Sequence, residues 1–133
     1  MANQFFIVCV SLFISVKANA QILKGNLSDK NDSQQGNILA YNEMQLINKY
    51  NIALNFKYSY DKQNWELLEL KKNDYIVVKF TVEQNYFYIR LCTDVSGSRT
   101  ANCDDYRLQR QQRYLFKWNK DTNSYTIGVL KDN

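Results

Sequence analysis

Residues 75–92, YIVVKFTVEQNYFYIRLC, carry the alternating pattern that decides the fold. Apolar side chains occupy every second position on both sides of a polar stretch at residues 83–85, which predicts two strands that each bury one face. A tight turn at residues 84–85 would place core side chains opposite core side chains, because a slip of one residue would turn one apolar set outward. The expected cross-strand pairs are Val82 with Phe87, Phe80 with Ile89, and Val78 with Leu91.

The same alternation recurs along the rest of the chain. Residues 52–60 and 65–70 predict two strands separated by a polar turn, and residues 41–50 fit either a strand or a short helix. The last hairpin is expected to pair Tyr114 with Val129, Phe116 with Ile127, and Trp118 with Tyr125. Successive hairpins with turns about ten residues apart predict an all-β fold, either a small antiparallel β-sandwich, jelly-roll-like, or a barrel.

The N-terminal residues have the pattern of an export signal. An apolar run at residues 5–16 is too short to cross a bilayer, which takes about 20 residues. The Ala18-Asn19-Ala20 sequence that follows has the small residues that a signal peptidase requires. We therefore expect a secreted or periplasmic protein with no transmembrane segment in the mature chain. The expected divisions are a cleaved signal peptide at residues 1–20, a polar lead-in at 21–36 with a strand near Ile22, and a single β domain at 37–133.

The three cysteines divide between the signal and the mature chain. Cys9 lies inside the apolar run and would be removed, which leaves Cys92 and Cys103 as an even pair in an oxidising compartment. We expect these two residues to form a disulfide that closes a short loop. A metal site is not expected, because two cysteines and no histidine do not complete a usual zinc ligand set.

The composition argues against several classes of function. The chain has no histidine and only four glycines, so Ser-His-Asp and Cys-His catalysis and phosphate-cradling loops are not expected. Glu66 and Glu69 lie three residues apart on a predicted strand, which points their carboxylates to opposite faces. A formal charge of +4 is too small to predict a nucleic-acid partner. The sequence therefore predicts a non-enzymatic protein without a cofactor.

The outward positions of the first hairpin form a candidate ligand-binding surface. In the predicted register, Lys79, Tyr86, Tyr88 and Arg90 share the face opposite the core. Tyrosine rings pack against apolar surfaces and sugar rings, and the cations attract acidic groups. We expect a protein partner at this face, with a glycan as the alternative ligand. A third interpretation is a structural accessory subunit of an envelope or surface complex. Tyrosine is also common in strands whatever its role, so the pattern fits a face without a ligand as well.

A second basic stretch precedes the last hairpin. Arg107, Arg110, Arg113 and Lys117 would bind phosphate or sulfate groups if they converged on one surface. Solvated charges around a turn give the same pattern without a ligand. A spacing of three residues in a loop does not place the arginines on one face, so both interpretations stay open.

Residues 58–65, YSYDKQNW, are similar to a Tyr-Ser-x-Asp-Gly-x-x-Trp turn of discoidin-like and other carbohydrate-binding β-sandwich modules. Residues 88–91, YIRL, resemble the Arg-Tyr-Ile-Arg-Ile strand of those modules. The resemblance covers about a quarter of the chain and implies a jelly-roll-like sandwich, although fold alone does not give function. The turn departs from the family pattern at Lys62, where those modules have glycine.

Overall fold

The computed structural model describes residues 20–28, 39–93 and 102–131 of the chain. The expected signal peptide up to residue 19 and the second half of the expected lead-in lie outside these ranges. The described residues form nine strands, which are β1 (Gln21–Asn26), β2 (Glu43–Ile47), β3 (Leu54–Ser59), β4 (Glu66–Leu70), β5 (Asp74–Lys79), β6 (Tyr86–Thr93), β7 (Asn102–Gln109), β8 (Arg113–Asn119) and β9 (Ser124–Val129).

The expected all-β sandwich is confirmed, and its two sheets are not closed into a barrel. Sheet A has the strand order β1-β5-β2-β8-β9, and sheet B has the order β4-β3-β6-β7. All neighbouring strands are antiparallel except β2 and β8, which run parallel. The β1 strand lies in the stretch expected to be a polar lead-in, and it pairs with β5 along its full length.

The predicted hairpin at residues 75–92 is wrong. β5 lies in sheet A between β1 and β2, whereas β6 lies in sheet B between β3 and β7. Residues 80–85 therefore cross between the sheets, and Val82, expected in the core, is 94% exposed. The predicted buried face is nevertheless correct for Ile76, Val78, Phe80, Phe87 and Ile89. Alternation specifies which side chains face the core, and strands that face each other across a sandwich bury the same side chains as strands paired in one sheet.

Residues 43–47 form the central strand β2. Of the two alternatives for residues 41–50, the strand is therefore correct and the short helix is wrong. Four consecutive residues, from Met44 to Ile47, are buried, so this segment lacks the alternation that identifies a strand. Gln45 can be buried because Arg113 Nε donates a hydrogen bond to its Oε1 at 3.1 Å. In the parts of the chain that the structure describes, no helix is long and apolar enough to cross a membrane.

The last hairpin has the predicted register. β8 and β9 pair Tyr114 with Val129, Phe116 with Ile127, and Trp118 with Tyr125. The Phe116 ring lies between the sheets, with its centroid 5.4 Å from that of Phe56 in sheet B. This hairpin follows from local sequence alone, because its two strands are joined by a short polar turn and both belong to sheet A.

Lys62 lies in the turn between β3 and β4, at the position where the Tyr-Ser-x-Asp-Gly-x-x-Trp pattern has glycine. Lys62 has a φ of 65°, in the left-handed region that favours glycine. Asp61 holds the turn, since its Oδ1 accepts hydrogen bonds from the backbone amides of Asn64 and Gln63 at 2.8 Å each. These bonds lower the pKa of Asp61 well below its usual range. The turn presents the Lys62 side chain toward the outer surface of sheet B.

Candidate binding face

The outward side chains of sheet B form a candidate binding face. Phe87 and Ile89 of β6 are buried between the sheets, so Tyr86, Tyr88 and Arg90 point away from the core. β7 places its own outward side chains opposite these three, with Gln109 opposite Tyr86, Arg107 opposite Tyr88, and Asp105 opposite Arg90. We define the sheet-B face as Lys62, Trp65, Tyr86, Tyr88, Arg90, Asp105 and Arg107.

Arg90 is held on two sides within the sheet-B face. Its Cζ lies 4.0 Å from the centroid of the Trp65 ring, which is a cation–π contact. Its Nε and Nη2 donate hydrogen bonds to the two carboxylate oxygens of Asp105, at 2.7 and 3.0 Å. This bidentate pair lowers the pKa of Asp105 and raises the pKa of Arg90, so both groups are charged at neutral pH. The guanidinium group is therefore fixed in one orientation.

The two tyrosines of the face each lie beside a cation. The ring centroids of Tyr86 and Tyr88 are 6.4 Å apart. The Arg107 Cζ is 4.5 Å from the Tyr86 centroid, and the Lys62 Nζ is 6.0 Å from the Tyr88 centroid. The face therefore alternates aromatic rings with positive charges, and both kinds of group are available to the same ligand.

A shallow depression of about 300 Å³ lies in this face. It is lined by Lys62, Tyr88, Asp105, Tyr106 and Arg107. Within the described residues, neither Lys62 nor Arg107 has a carboxylate oxygen within 4.0 Å, whereas Asp105 is paired with Arg90. The two cations can therefore bind a carboxylate, sulfate or phosphate group beside the Tyr88 ring.

Lys79, which the predicted hairpin grouped with the tyrosines, lies on the other sheet. It is the last residue of β5, and its Nζ is 4.0 Å from Glu43 Oε2. Because residues 80–85 cross between the sheets, Lys79 is separated from Tyr86 and Arg90 even though these residues are close in sequence. The structure thus brings three of the four expected residues together.

The second basic stretch is divided in the same way. Arg107 belongs to the sheet-B face, and Arg110 lies between β7 and β8. Arg113 and Lys117 belong to β8 in sheet A. The chain passes from sheet B to sheet A at residues 110–112, so basic residues on the two sides of this crossing do not converge on one surface.

Arg110 instead stabilises residues 80–85, the segment that connects β5 to β6. Its Nη2 donates hydrogen bonds to the carbonyl oxygens of Thr81 at 2.6 Å and Gln84 at 2.5 Å. Its Cζ is 5.6 Å from the ring centroids of both Tyr41 and Phe80. The guanidinium group satisfies carbonyl oxygens that no strand partner reaches, so Arg110 has a structural role at this crossing.

The predicted disulfide is confirmed. Cys92 of β6 and Cys103 of β7 are directly opposite each other, with their Cα atoms 4.0 Å apart. Both residues are exposed, two positions along their strands from Arg90 and Asp105. The bond therefore ties together the two strands that carry most of the sheet-B face.

Sequence reasoning missed Lys62, Trp65 and Asp105 as members of this face. Lys62 and Trp65 were visible only as residues of a turn motif, and nothing in the sequence placed that turn beside β6. The pairing of Ser59 with Tyr88 brings the end of β3, and with it the turn, alongside the tyrosines. Asp105 could be recognised in the sequence only as an acidic residue, because its position opposite Arg90 depends on the register of β6 and β7.

A second concave site lies at one end of the sandwich, and we call it the end cleft. It has a volume of about 240 Å³ and lies between sheet B and the β8–β9 hairpin. Its lining includes Leu54, Asn55, Leu91, Phe116, Trp118 and Asn123. Sequence reasoning assigned Trp118 only to a hairpin pair, because a cleft between two sheets leaves no local pattern.

No protein-family model, curated protein or solved structure matches the chain. Among the described residues, no group of three or more His, Cys, Asp or Glu side chains could hold a metal ion. The contacts of the sheet-B face form an ordered surface of aromatic rings and cations, which is suited to binding an acidic group.

Proposed function

We propose that the chain is a secreted binding module that binds an acidic surface of a protein partner through the sheet-B face. The observation that carries the proposal is the position of the Arg90 guanidinium group, which stacks on the Trp65 ring and is hydrogen-bonded to Asp105. Trp, Tyr and Arg are the residue types that most often dominate binding energy at protein interfaces. Here they are adjacent and already ordered, so a partner would bind with a smaller loss of side-chain entropy.

The charge of the face supports an acidic partner. Lys62, Arg90 and Arg107 carry positive charge, and Asp105 is the one acidic member of the sheet-B face as defined. A glutamate or aspartate of the partner would enter the depression beside Tyr88, where it could contact Lys62 and Arg107. Such contacts accelerate association and weaken as salt is added.

The two carboxyl groups of the described residues whose pKa is shifted are not candidates for a general acid. Asp61 and Asp105 both have a lowered pKa, because each accepts several hydrogen bonds. A general acid near neutral pH needs the opposite shift. The chain also has no histidine, the side chain most often used as a general base.

Secretion is supported by the export pattern of residues 1–20 and by the Cys92–Cys103 disulfide. Cleavage after Ala20 would make Gln21, which is the first residue of β1, the N-terminal residue of the mature chain. We expect the exported protein to lack residues 1–20 and to weigh two hydrogens less than its reduced form. A full-length intact mass, or cysteines that react with a thiol reagent in denaturant, would contradict secretion.

A pull-down with the exported protein, followed by affinity measurements on the captured partner, tests the binding proposal. Tyr88→Ala and Arg107→Ala should each weaken binding by about tenfold or more, which is the effect of losing an interface residue worth over about 1.4 kcal/mol. Tyr41→Ala removes an exposed tyrosine outside the face and should bind as the wild type does. Unchanged affinity in both Tyr88→Ala and Arg107→Ala would exclude the sheet-B face as the interface.

An acidic glycan is the second candidate ligand. The Tyr88 ring lies in the same depression as Lys62 and Arg107, an arrangement that suits a sugar ring bearing a carboxylate or sulfate. A glycan array with the same variants separates the two candidates. An array hit that Tyr88→Ala abolishes would identify a lectin-like module, whereas a stoichiometric protein partner with no array hit would support the first proposal.

A further inference from the structure

The end cleft forms where two strands of sheet B stop pairing. The register of β3 and β6 ends at Lys57 and Arg90, although β6 continues to Thr93 beside β7. Beyond this point the ends of β3 and β6 are no longer joined, and the β8–β9 hairpin of sheet A lies across the opening. The result is a cleft at the end of the sandwich, separate from the sheet-B face.

The lining of the end cleft combines apolar, aromatic and uncharged polar groups. Leu54 and Phe116 are buried and form its apolar base. Trp118 is 40% exposed and supplies an aromatic surface. Asn55 and Asn123, which are exposed, add uncharged polar groups to the lining. None of the described residues that line the cleft is charged, so an ionic ligand would lose its hydration without gaining a partner.

The aromatic ring of the cleft is held by its neighbours, and the two side-chain amides of the lining are without partners among the described residues. The Trp118 ring meets Tyr125 edge to face, with centroids 4.8 Å apart, and the Trp118 backbone N–H donates a hydrogen bond to Tyr50 Oη at 2.6 Å. Within the described part of the chain, the side-chain amides of Asn55 and Asn123 have no hydrogen-bond partner. Each amide offers donors and an acceptor, which is what a pair of sugar hydroxyls requires.

We propose that the end cleft binds one neutral hexopyranose ring. The C–H face of such a ring would pack against Trp118, and its hydroxyls would bind the amides of Asn55 and Asn123. The volume of about 240 Å³ lies just below the range of about 300–1,000 Å³ typical of pockets for drug-sized ligands, so it suits a single ring. This site does not depend on the function proposed for the sheet-B face, which takes acidic groups.

The tryptophans of the chain separate the two sites in one experiment. The chain has two tryptophans, of which Trp65 lies in the sheet-B face and Trp118 lies in the end cleft. In exported Trp65→Phe protein the tryptophan emission therefore reports the end cleft alone. We would titrate this variant with methyl glucosides, galactosides and mannosides up to about 50 mM, well above a Kd of about 1 mM. We expect a saturable change in emission with at least one of these glycosides.

Substitutions at the cleft then test the contacts. Asn123 has a φ of 53°, so Asn123→Gly removes the amide without straining the backbone. It should weaken binding of the active glycoside by about tenfold, the effect of losing hydrogen bonds worth about 1.4 kcal/mol. Asn55→Ala should have a similar effect. The matched control is Asn73→Gly, which makes the same change at a turn with a φ of 59° outside the cleft and should bind as the parent does.

The other outcomes would overturn the proposal. No change with any of the glycosides would show that the cleft does not bind a neutral sugar. A change that is retained in Trp118→Phe protein and lost in Trp65→Phe protein would move sugar binding to the sheet-B face. Saturable binding of phenol or indole by the Trp65→Phe variant, without binding of the glycosides, would assign the cleft to an aromatic ligand instead.

Discussion

The Arg90 guanidinium lies over the Trp65 indole, with its Cζ 4.0 Å from the ring centroid, while its two nitrogens are bonded to Asp105. The three residues come from β6, from the end of the β3–β4 turn and from β7. Their contact therefore links three separate parts of sheet B. The indole is covered on one side by a cation whose position is set by a carboxylate on a different strand.

Removing Arg90 should uncover the Trp65 ring. In a Trp118→Phe background, Trp65 is the one remaining tryptophan. Arg90→Ala should there make the tryptophan emission more easily quenched by acrylamide. Arg107→Ala is the matched control, because Arg107 lies 4.5 Å from Tyr86 and has no contact with Trp65 in the described structure. Equal quenching in Arg90→Ala and the parent would contradict the stacked geometry.

The hairpin interpretation paired Val82 with Phe87, but the crossing between the sheets predicts that truncating them changes the free energy of unfolding by very different amounts. Phe87 is fully buried and its ring lies 5.4 Å from Tyr58 and 5.6 Å from Tyr60. Phe87→Ala should therefore lower the free energy of unfolding by about 3–5 kcal/mol. Val82 is 94% exposed, and Val82→Ala should change it by less than about 0.5 kcal/mol. Urea unfolding measures the free energy of unfolding of both variants. Similar losses in the two would indicate that Val82 is buried in the core and would contradict the crossing.

Arg110 should matter for stability more than its neighbours in the basic stretch. Arg110→Ala leaves the Gln84 carbonyl oxygen without its guanidinium donor, whereas the Thr81 carbonyl oxygen keeps the Gln84 backbone N–H at 3.2 Å. The loss should cost about 1–3 kcal/mol of unfolding free energy. Arg107→Ala, on the exposed sheet-B face, should leave stability close to that of the wild type. Urea unfolding of both variants decides the matter. An Arg110 cost no greater than that of Arg107 would show that the crossing does not need the guanidinium group.

Tyr58 should titrate at unusually high pH. Its hydroxyl donates a hydrogen bond to Glu66 Oε2 at 2.5 Å, and this bond together with burial raises the pKa of Tyr58 to about 12. The pKa of an unfolded tyrosine is about 10, so the folded state binds this proton more tightly. The resulting stability is complete below about pH 10 and is lost as the pH rises through the folded pKa.

The tyrosinate absorbance of Glu66→Gln measures this shift. Removing the carboxylate charge should let Tyr58 ionise at lower pH, so the variant should show more tyrosinate than the wild type near pH 11. Glu69→Gln is the matched control, because it removes the other carboxylate of β4 without touching the Tyr58 bond. Superimposable curves for Glu66→Gln and the wild type would contradict the Tyr58–Glu66 contact.

Several parts of the fold could be predicted because they depend on local sequence. The register of β8 and β9 was predicted correctly, since a short turn joins two strands of one sheet. The Cys92–Cys103 bond was predicted from the two cysteines that remain once the expected signal peptide is set aside. The candidate site was only partly predictable, because Tyr86, Tyr88 and Arg90 share a face by alternation alone, whereas Trp65 joins them through the pairing of β3 with β6.

The sequence by itself determined the all-β class and most of the side chains that face the core, because a strand turns successive residues to opposite faces. Only the tertiary structure decided which sheet each strand joins. Residues 80–85 and 110–112 cross between the sheets, yet the polar residues within them, 83–85 and 110–112, resemble those of hairpin turns. The choice depends on partners far away in the chain, such as β5 with β1 and β2 with β8. That choice moved Lys79 to sheet A, divided the basic stretch and placed Trp65 under Arg90.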